Sequence, residues 1–165
     1  LMEFQNIDLE KLTVNRSIRN SYDILYNTKH LEFITPKLFI PFGLEKKYND
    51  YFLNLQCLDY KKHQNIEHFL NFIQKLEEKM IELLKINYSD FNSQLRINNK
   101  YDPLIYTKLI YKNKFITEAL RGDSYLNIFN LDKKFYAKCI LIIDKIWIKN
   151  YKFYYKIKLK KLYLN

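Results

Sequence analysis

Lys108, Tyr111, Lys112, Lys114 and Phe115 crowd amines and aromatic rings into one short segment. The same two side-chain types return at Arg121 and Tyr125, and again at Trp147, Lys149, Lys152, Tyr154, Lys156 and Lys158. Tyr106 shares parity with Lys108 and Lys112, so an extended backbone turns all three to one side. Amines attract phosphates and open π-faces stack bases, each stacked base contributing about 1–3 kcal/mol. Those residue types together suit a single-stranded polynucleotide. Tyr154 stands among lysines rather than with the apolar set of its strand, which marks it as an outward ring. Against this, a chain with 15 Tyr and 12 Phe must place many rings in its core, and Trp147 is also a natural core anchor.

Charge along the chain points the same way. Residues 1 to 99 hold 13 basic and 13 acidic side chains, whereas residues 100 to 165 hold 15 basic and 5 acidic, so the second stretch carries the whole net charge of +10. From Lys145 onward there are seven lysines and no acid. Like charges repel, so such a gradient predicts one positive face offered to a polyanion. A merely solvated lysine face is the plain alternative. Double-stranded readout fits less well, because only four arginines are present and no short basic recognition helix is visible.

Other chemistries are excluded or weakly supported. Gly43 and Gly122 are the only glycines, too few and too far apart for a phosphate-cradling loop or a dinucleotide fingerprint. No cofactor is implied. His30, His63 and His68 lack cysteines in metal-binding spacing, and Cys57 and Cys139 read as reduced, buried thiols of an intracellular protein. The longest apolar runs, such as Cys139 to Ile143, are too short to cross a bilayer, so no membrane partner is expected. Glu77, Glu78 and Lys79 superficially resemble the acid-x-lysine element of metal-dependent nucleases. They fall mid-helix, where alternating solvent-facing charges are the expectation, so the chain reads as non-enzymatic.

The elements that would position the rings and amines follow from periodicity. Extended segments are predicted at Asp8 to Ser17, Tyr22 to Tyr26, Leu31 to Thr35, Leu38 to Ile40 and Tyr51 to Leu58, with Pro36 and Pro41 as breaks. Ile66, Phe69, Leu70, Ile73, Leu76, Met80, Leu83 and Leu84 recur at steps of three and four, predicting one amphipathic helix over 65 to 86 with Asn65 as its N-cap. Extended segments resume at Phe91 to Ile97, Leu104 to Lys112 and Tyr125 to Leu131. Two long strands close the sequence, Phe135 to Lys149 and Tyr151 to Leu164, joined by a hairpin at Asn150. In the last strand Tyr151, Phe153, Tyr155, Ile157 and Leu159 form a core face opposite a lysine ladder. Lys160 and Lys161 break the alternation, and a bulge there would return Leu162 and Leu164 to the inside. This order predicts a single domain over 1 to 165. Its class is mainly β with one long α-helix, an oligonucleotide-binding barrel of five strands with additional short strands, the helix lying between strands three and four.

The run Ile34-Thr35-Pro36-Lys37-Leu38-Phe39-Ile40-Pro41-Phe42-Gly43-Leu44-Glu45, the Leu-Glu-Glu at 76 to 78, Phe91-Asn92-Ser93-Gln94-Leu95-Arg96 and Asp102-Pro103-Leu104 together carry a resemblance. The chain resembles the single-stranded-DNA-binding proteins of large nucleocytoplasmic viruses, which are similar in turn to those of short-tailed phages. The likeness spans about residues 30 to 163. It implies an oligonucleotide-binding barrel, no catalysis, and protection of single strands in DNA replication and recombination. Such proteins commonly finish on an acidic tail that recruits replication enzymes, whereas this sequence finishes Lys160-Lys161-Leu162-Tyr163-Leu164-Asn165. The expected partners are single-stranded DNA, with RNA as the alternative, replication proteins, and a second copy of the chain in a homodimer. The location implied is intracellular, at a viral replication site in the host cytoplasm or nucleus if the chain is viral. The rival expectation is a structural or assembly subunit of a virion or nucleoprotein complex, whose basic face meets an acidic partner or packaged genome.

Overall fold

Leu31, Phe33, Leu53, Leu55, Ile105, Leu109, Leu141, Ile143, Ile157 and Leu159 are all buried, and within each strand that carries them they are two residues or a multiple of two apart. That period of two wraps five strands around one core. The computed structural model describes residues 1 to 165. In chain order the strands before the helix are β1 (Met2–Glu3), β2 (Leu12–Arg16), β3 (Ser21–Tyr26), β4 (Lys29–Ile40), β5 (Glu45–Lys47) and β6 (Asp50–Gln56). The helix α1 (Gln64–Leu84) follows. After it come β7 (Phe91–Asn92), β8 (Leu95–Arg96), β9 (Leu104–Leu109), β10 (Glu118–Arg121), β11 (Ser124–Leu126), β12 (Phe135–Ile143), β13 (Lys145–Lys149), β14 (Lys152–Tyr155) and β15 (Ile157–Leu164).

β4 pairs with β6, β6 with β9, β9 with β15, β15 with β12, and β12 again with β4, so the ring is closed. Only β9 and β15 run parallel within it. This is the mainly β, oligonucleotide-binding-type barrel with added strands that the sequence predicts. The helix is placed differently: α1 connects the second and third barrel strands, β6 and β9, not the third and fourth. The misplacement arises because β3, which looks like any other strand in sequence, lies off the barrel in a second sheet with β2, β13, β14 and β7. Helix residues Phe69 and Phe72 pack on Phe4 and Phe33, fixing α1 against the barrel core.

Local corrections have local causes. The segments on either side of Pro36 form the single strand β4, because the β4–β12 register shifts between Lys138 and Ile140 and the proline falls at that irregularity. There the Thr35 hydroxyl accepts the Cys139 N–H at 3.0 Å, so that donor is satisfied where the ladder is interrupted. The helix N-cap is His63 rather than Asn65, and α1 ends at a left-handed Lys85. Gly43, at φ +69°, lets the Pro-Phe-Gly turn approach Lys133, whose Cα would stand 2.9 Å from an added Cβ. Each of the two long C-terminal strands divides in two, at Asp144 and at Lys156. The halves β12 and β15 stay in the barrel while β13 and β14 leave it as a hairpin. Asn150 and Tyr151 both take positive φ at the hairpin turn, as a two-residue mirror-image turn requires. Tyr151 is therefore 90% exposed instead of joining the core face. The expected bulge is present: Ile140 pairs with Lys161 and Leu141 with Leu159, Lys160 is left over, and Leu162 and Leu164 are both buried.

Candidate nucleic-acid interface

Antiparallel pairing of β6 with β9 sets Phe52 opposite Lys108, Asn54 opposite Tyr106 and Gln56 opposite Leu104. The intervening residues point into the barrel, so Phe52, Tyr106 and Lys108 lie on its outward face, where Tyr106 and Lys108 are half-buried and Phe52 is only 6% exposed. Phe52 and Tyr106, diagonal neighbours across the two strands, have ring centroids 4.7 Å apart and planes within 9°. Two cations lie over them. The Arg96 guanidinium carbon is 4.5 Å from the Tyr106 centroid, and Lys156 Nζ is 5.7 Å from Phe52 and 6.0 Å from Tyr106. Lys156 occupies the break between β14 and β15, and burial first, then the charge of Lys108, holds its pKa below the usual lysine range. Lys47 and Arg96 press in the same direction while Asp50 opposes them. Four cations thus share this site with Asp50, which bridges Lys108 at 3.5 Å, and with Glu45, which accepts from Asn54 Nδ2 at 2.7 Å. Asn54 Oδ1 is buried with no hydrogen-bond partner.

The segment leading to Arg96 is anchored at Ser93 and Gln94 by a carboxylate that sequence reasoning places in solvent. Glu77 is buried, because α1 turns it toward the base of the site. There it accepts from the Tyr155 hydroxyl, the Ser93 hydroxyl and the Gln94 N–H, the last at 2.9 Å. Gln94 then accepts the Tyr106 N–H on its carbonyl at 3.0 Å. Burial, with Glu77 beside it, pushes the Tyr155 phenol well above its ordinary pKa.

The residues singled out from sequence separate into groups. Tyr106, Lys108 and Lys156 come together in the site just described, with Lys158 paired in register to Lys108. Trp147 and Tyr154 are cross-strand partners on the β13–β14 hairpin, stacked at 6.0 Å and 21°, with Lys149 and Lys152 the next pair on the same side. Lys152 donates to the Ser89 carbonyl at 2.8 Å and lies 3.6 Å from Asp90. Tyr111 and Phe115 bridge to each other and pack edge-on with Tyr51 and Phe129, leaving Lys112 and Lys114 exposed at the tip. Arg121 donates to the Asn165 carbonyl at 2.9 Å, and Tyr125 is exposed on the neighbouring strand. Arg121 pairs with Leu164, seven residues along β15 from the Ile157 that meets Thr107, which is about 23 Å of strand.

The lysine ladder is less bare than its sequence suggests. Lys158 meets Asp144 at 2.7 Å, Lys160 meets Glu32 at 2.7 Å and Lys161 meets Glu118 at 3.6 Å. Counting charge along the chain misses acids brought in from other strands. It also misses Phe52, Asn54, Lys47 and Arg96, which lie in the electrically neutral part of the sequence. The β-period of Asp50–Gln56 offered a signal for Phe52 only if the facing strand was known. Both thiols are buried and pushed up to about 12, chiefly by desolvation, so neither is a thiolate at neutral pH.

No family model and no curated protein matches the chain. Among solved structures it is similar to a C-terminal truncation of the single-stranded DNA-binding protein from bacteriophage Enc34, with 14% identity and a TM-score of 0.54, covering 94% of each chain. The same phage protein in complex with single-stranded DNA aligns with a TM-score of 0.54 and 13% identity, over 94% of this chain and 96% of that one. At such identity the likeness is one of fold. The neighbours belong to the phage side of the resemblance noted above, and nothing in these comparisons points to the large nucleocytoplasmic viruses.

Proposed function

We propose that this chain is a non-catalytic single-stranded-DNA-binding protein that serves DNA replication and recombination. Bases stack beside Tyr106, whose ring is backed by the buried Phe52, while Lys47, Arg96, Lys108 and Lys156 meet the phosphates. The hairpin rings Trp147 and Tyr154 extend the stacking surface. The observation that carries this reading is the parallel Phe52–Tyr106 pair with Arg96 and Lys156 over it, on the outward face of neighbouring barrel strands. Ring and cation together are what sequence-tolerant single-strand binding needs. The fold shared with a phage protein solved in complex with single-stranded DNA supports it.

Fluorescence anisotropy with labelled oligo-dT at rising salt tests the proposal. Four phosphate contacts predict a log–log slope of about −3, at about −0.7 per phosphate for single strands. Binding that is absent, or indifferent to salt, would refute it. Competition with a matched RNA oligonucleotide reports whether a 2′-hydroxyl is tolerated.

A further inference from the structure

We infer that Phe39 and Tyr136 form a second base-stacking platform, which takes the stretch of single strand running on past the Phe52–Tyr106 groove. The inference rests on the reading of that groove as a single-strand site. Phe39 and Tyr136 are cross-strand partners on β4 and β12, with ring centroids 5.0 Å apart and planes 38° apart. Their neighbours Leu38, Ile40, Phe135 and Ala137 are buried in the core, so the two rings face outward, and Tyr136 is 48% exposed. The next pair on that side is Lys37 with Lys138, and Lys37 Nζ stands 5.7 Å from the Tyr136 centroid. Both amines are exposed, and neither is bridged to a carboxylate, unlike Lys158, Lys160 and Lys161. Two rings with two free cations repeat the composition of the groove. A cavity of about 320 Å³ opens beside them, lined also by Leu58, Ile66, His63 and Asp59, the one carboxylate there.

Strand register connects the two places. Tyr136 pairs with Phe39, Phe39 with Gln56, Gln56 with Leu104 and Leu104 with Arg96, a single lateral row around the barrel. Four strand spacings of about 4.8 Å make that row about 19 Å long. The middle of the row, Leu104 and Gln56, is buried, and Gln56 Nε2 donates to the Asp102 carbonyl at 3.2 Å, so a polynucleotide leaving Arg96 passes over the Asp102 segment to reach the Phe39–Tyr136 rings. The ligand class is therefore one continuous single strand, held at two stacking sites.

The test is a ladder of oligo-dT from about 4 to 16 nucleotides, the span of site sizes found per barrel of this type, titrated against the full chain. Tyr136→Ala is expected to bind the longest oligonucleotide about tenfold more weakly than wild type and the shortest equally well. Lys37→Ala combined with Lys138→Ala keeps the rings and should make the salt slope on the longest oligonucleotide shallower by about 1.4. Both variants alter outward side chains, and an unchanged thermal midpoint verifies the fold. Variants that follow wild type at every length, or that lose affinity equally at every length, overturn the second platform while leaving the groove intact. A wild-type chain that binds no oligonucleotide of the ladder overturns the groove and the platform together.

Discussion

Arg96 stands over the ring of Tyr106 at 4.5 Å, and the Tyr106 main chain is hydrogen-bonded to Gln94, two residues before that arginine. Ring and cation are therefore held by one short loop. A planar guanidinium can lie on an aromatic face and still fork toward a phosphate, which an ammonium cannot do. Arg96→Ala should weaken oligo-dT binding by about tenfold, and Arg96→Lys should recover the salt slope but not the affinity. Equal recovery of both by lysine in an anisotropy titration would remove the stacking role.

Lys156 gives the groove a pH dependence. Its folded pKa lies below the ordinary lysine value, so as pH rises it discharges earlier than an unperturbed lysine. An anionic strand favours the charged form and raises that pKa again, so binding takes up a proton in this window. Affinity should accordingly start to fall at a lower alkaline pH than exposed lysines would produce, and Lys156→Arg should abolish that early fall. Folding shows the opposite trend. Between the folded and unfolded pKa values the unfolded chain holds more protons, so stability rises with pH there. Superimposable pH–affinity profiles for wild type and Lys156→Arg would contradict this account.

Trp147 is the only tryptophan in the chain, and it is stacked on Tyr154. If the hairpin touches the strand, saturating oligo-dT quenches its fluorescence, and Tyr154→Ala lowers affinity by about fivefold, the weaker end of one stacking contact. Emission unchanged at saturation would confine binding to the barrel strands.

Glu77 ties α1 to the Ser93–Gln94 segment and to Tyr155, which makes it a stability element. Removing its carboxylate leaves the Tyr155 hydroxyl and the Gln94 N–H buried without an acceptor, and each orphan costs about 1–3 kcal/mol. Glu77→Ala should lose about 2–4 kcal/mol in urea unfolding, and Tyr155→Phe less, since the carboxylate then keeps its other two donors. A wild-type urea midpoint for Glu77→Ala would show that the network carries no stabilisation.

Much of the barrel can be read from alternation alone. The β15 bulge at Lys160 follows from two leucines that change parity, and the Asn150 turn from the break between two apolar runs. Pairing cannot be read so directly. That Phe39 faces Tyr136, or that Phe52 lies diagonal to Tyr106, depends on register between strands distant in sequence, and no local pattern encodes it. Glu77 shows the same limit from the other side. Glu77, Glu78 and Lys79 look alike in a charged helical run, yet a rotation of about 100° per residue buries one of them and exposes Glu78. Sequence therefore singled out Tyr106, Lys108 and Lys156 by residue type, and it passed over Phe52 and Arg96 because what sets them apart is the neighbours that the fold brings to them.

Barrel closure has a kinetic corollary. Lys156 precedes a strand whose register is set by Thr107 on one side and by Ile142 on the other, and β12 must itself find β4 across most of the chain. Contacts so distant form late, and high contact order slows folding toward the millisecond-to-second range. Excised peptides from the lysine-rich third would retain charge but not capture, because no partial chain assembles the trough. Under the proposed function, oligonucleotide affinity is therefore expected to report a completely closed barrel.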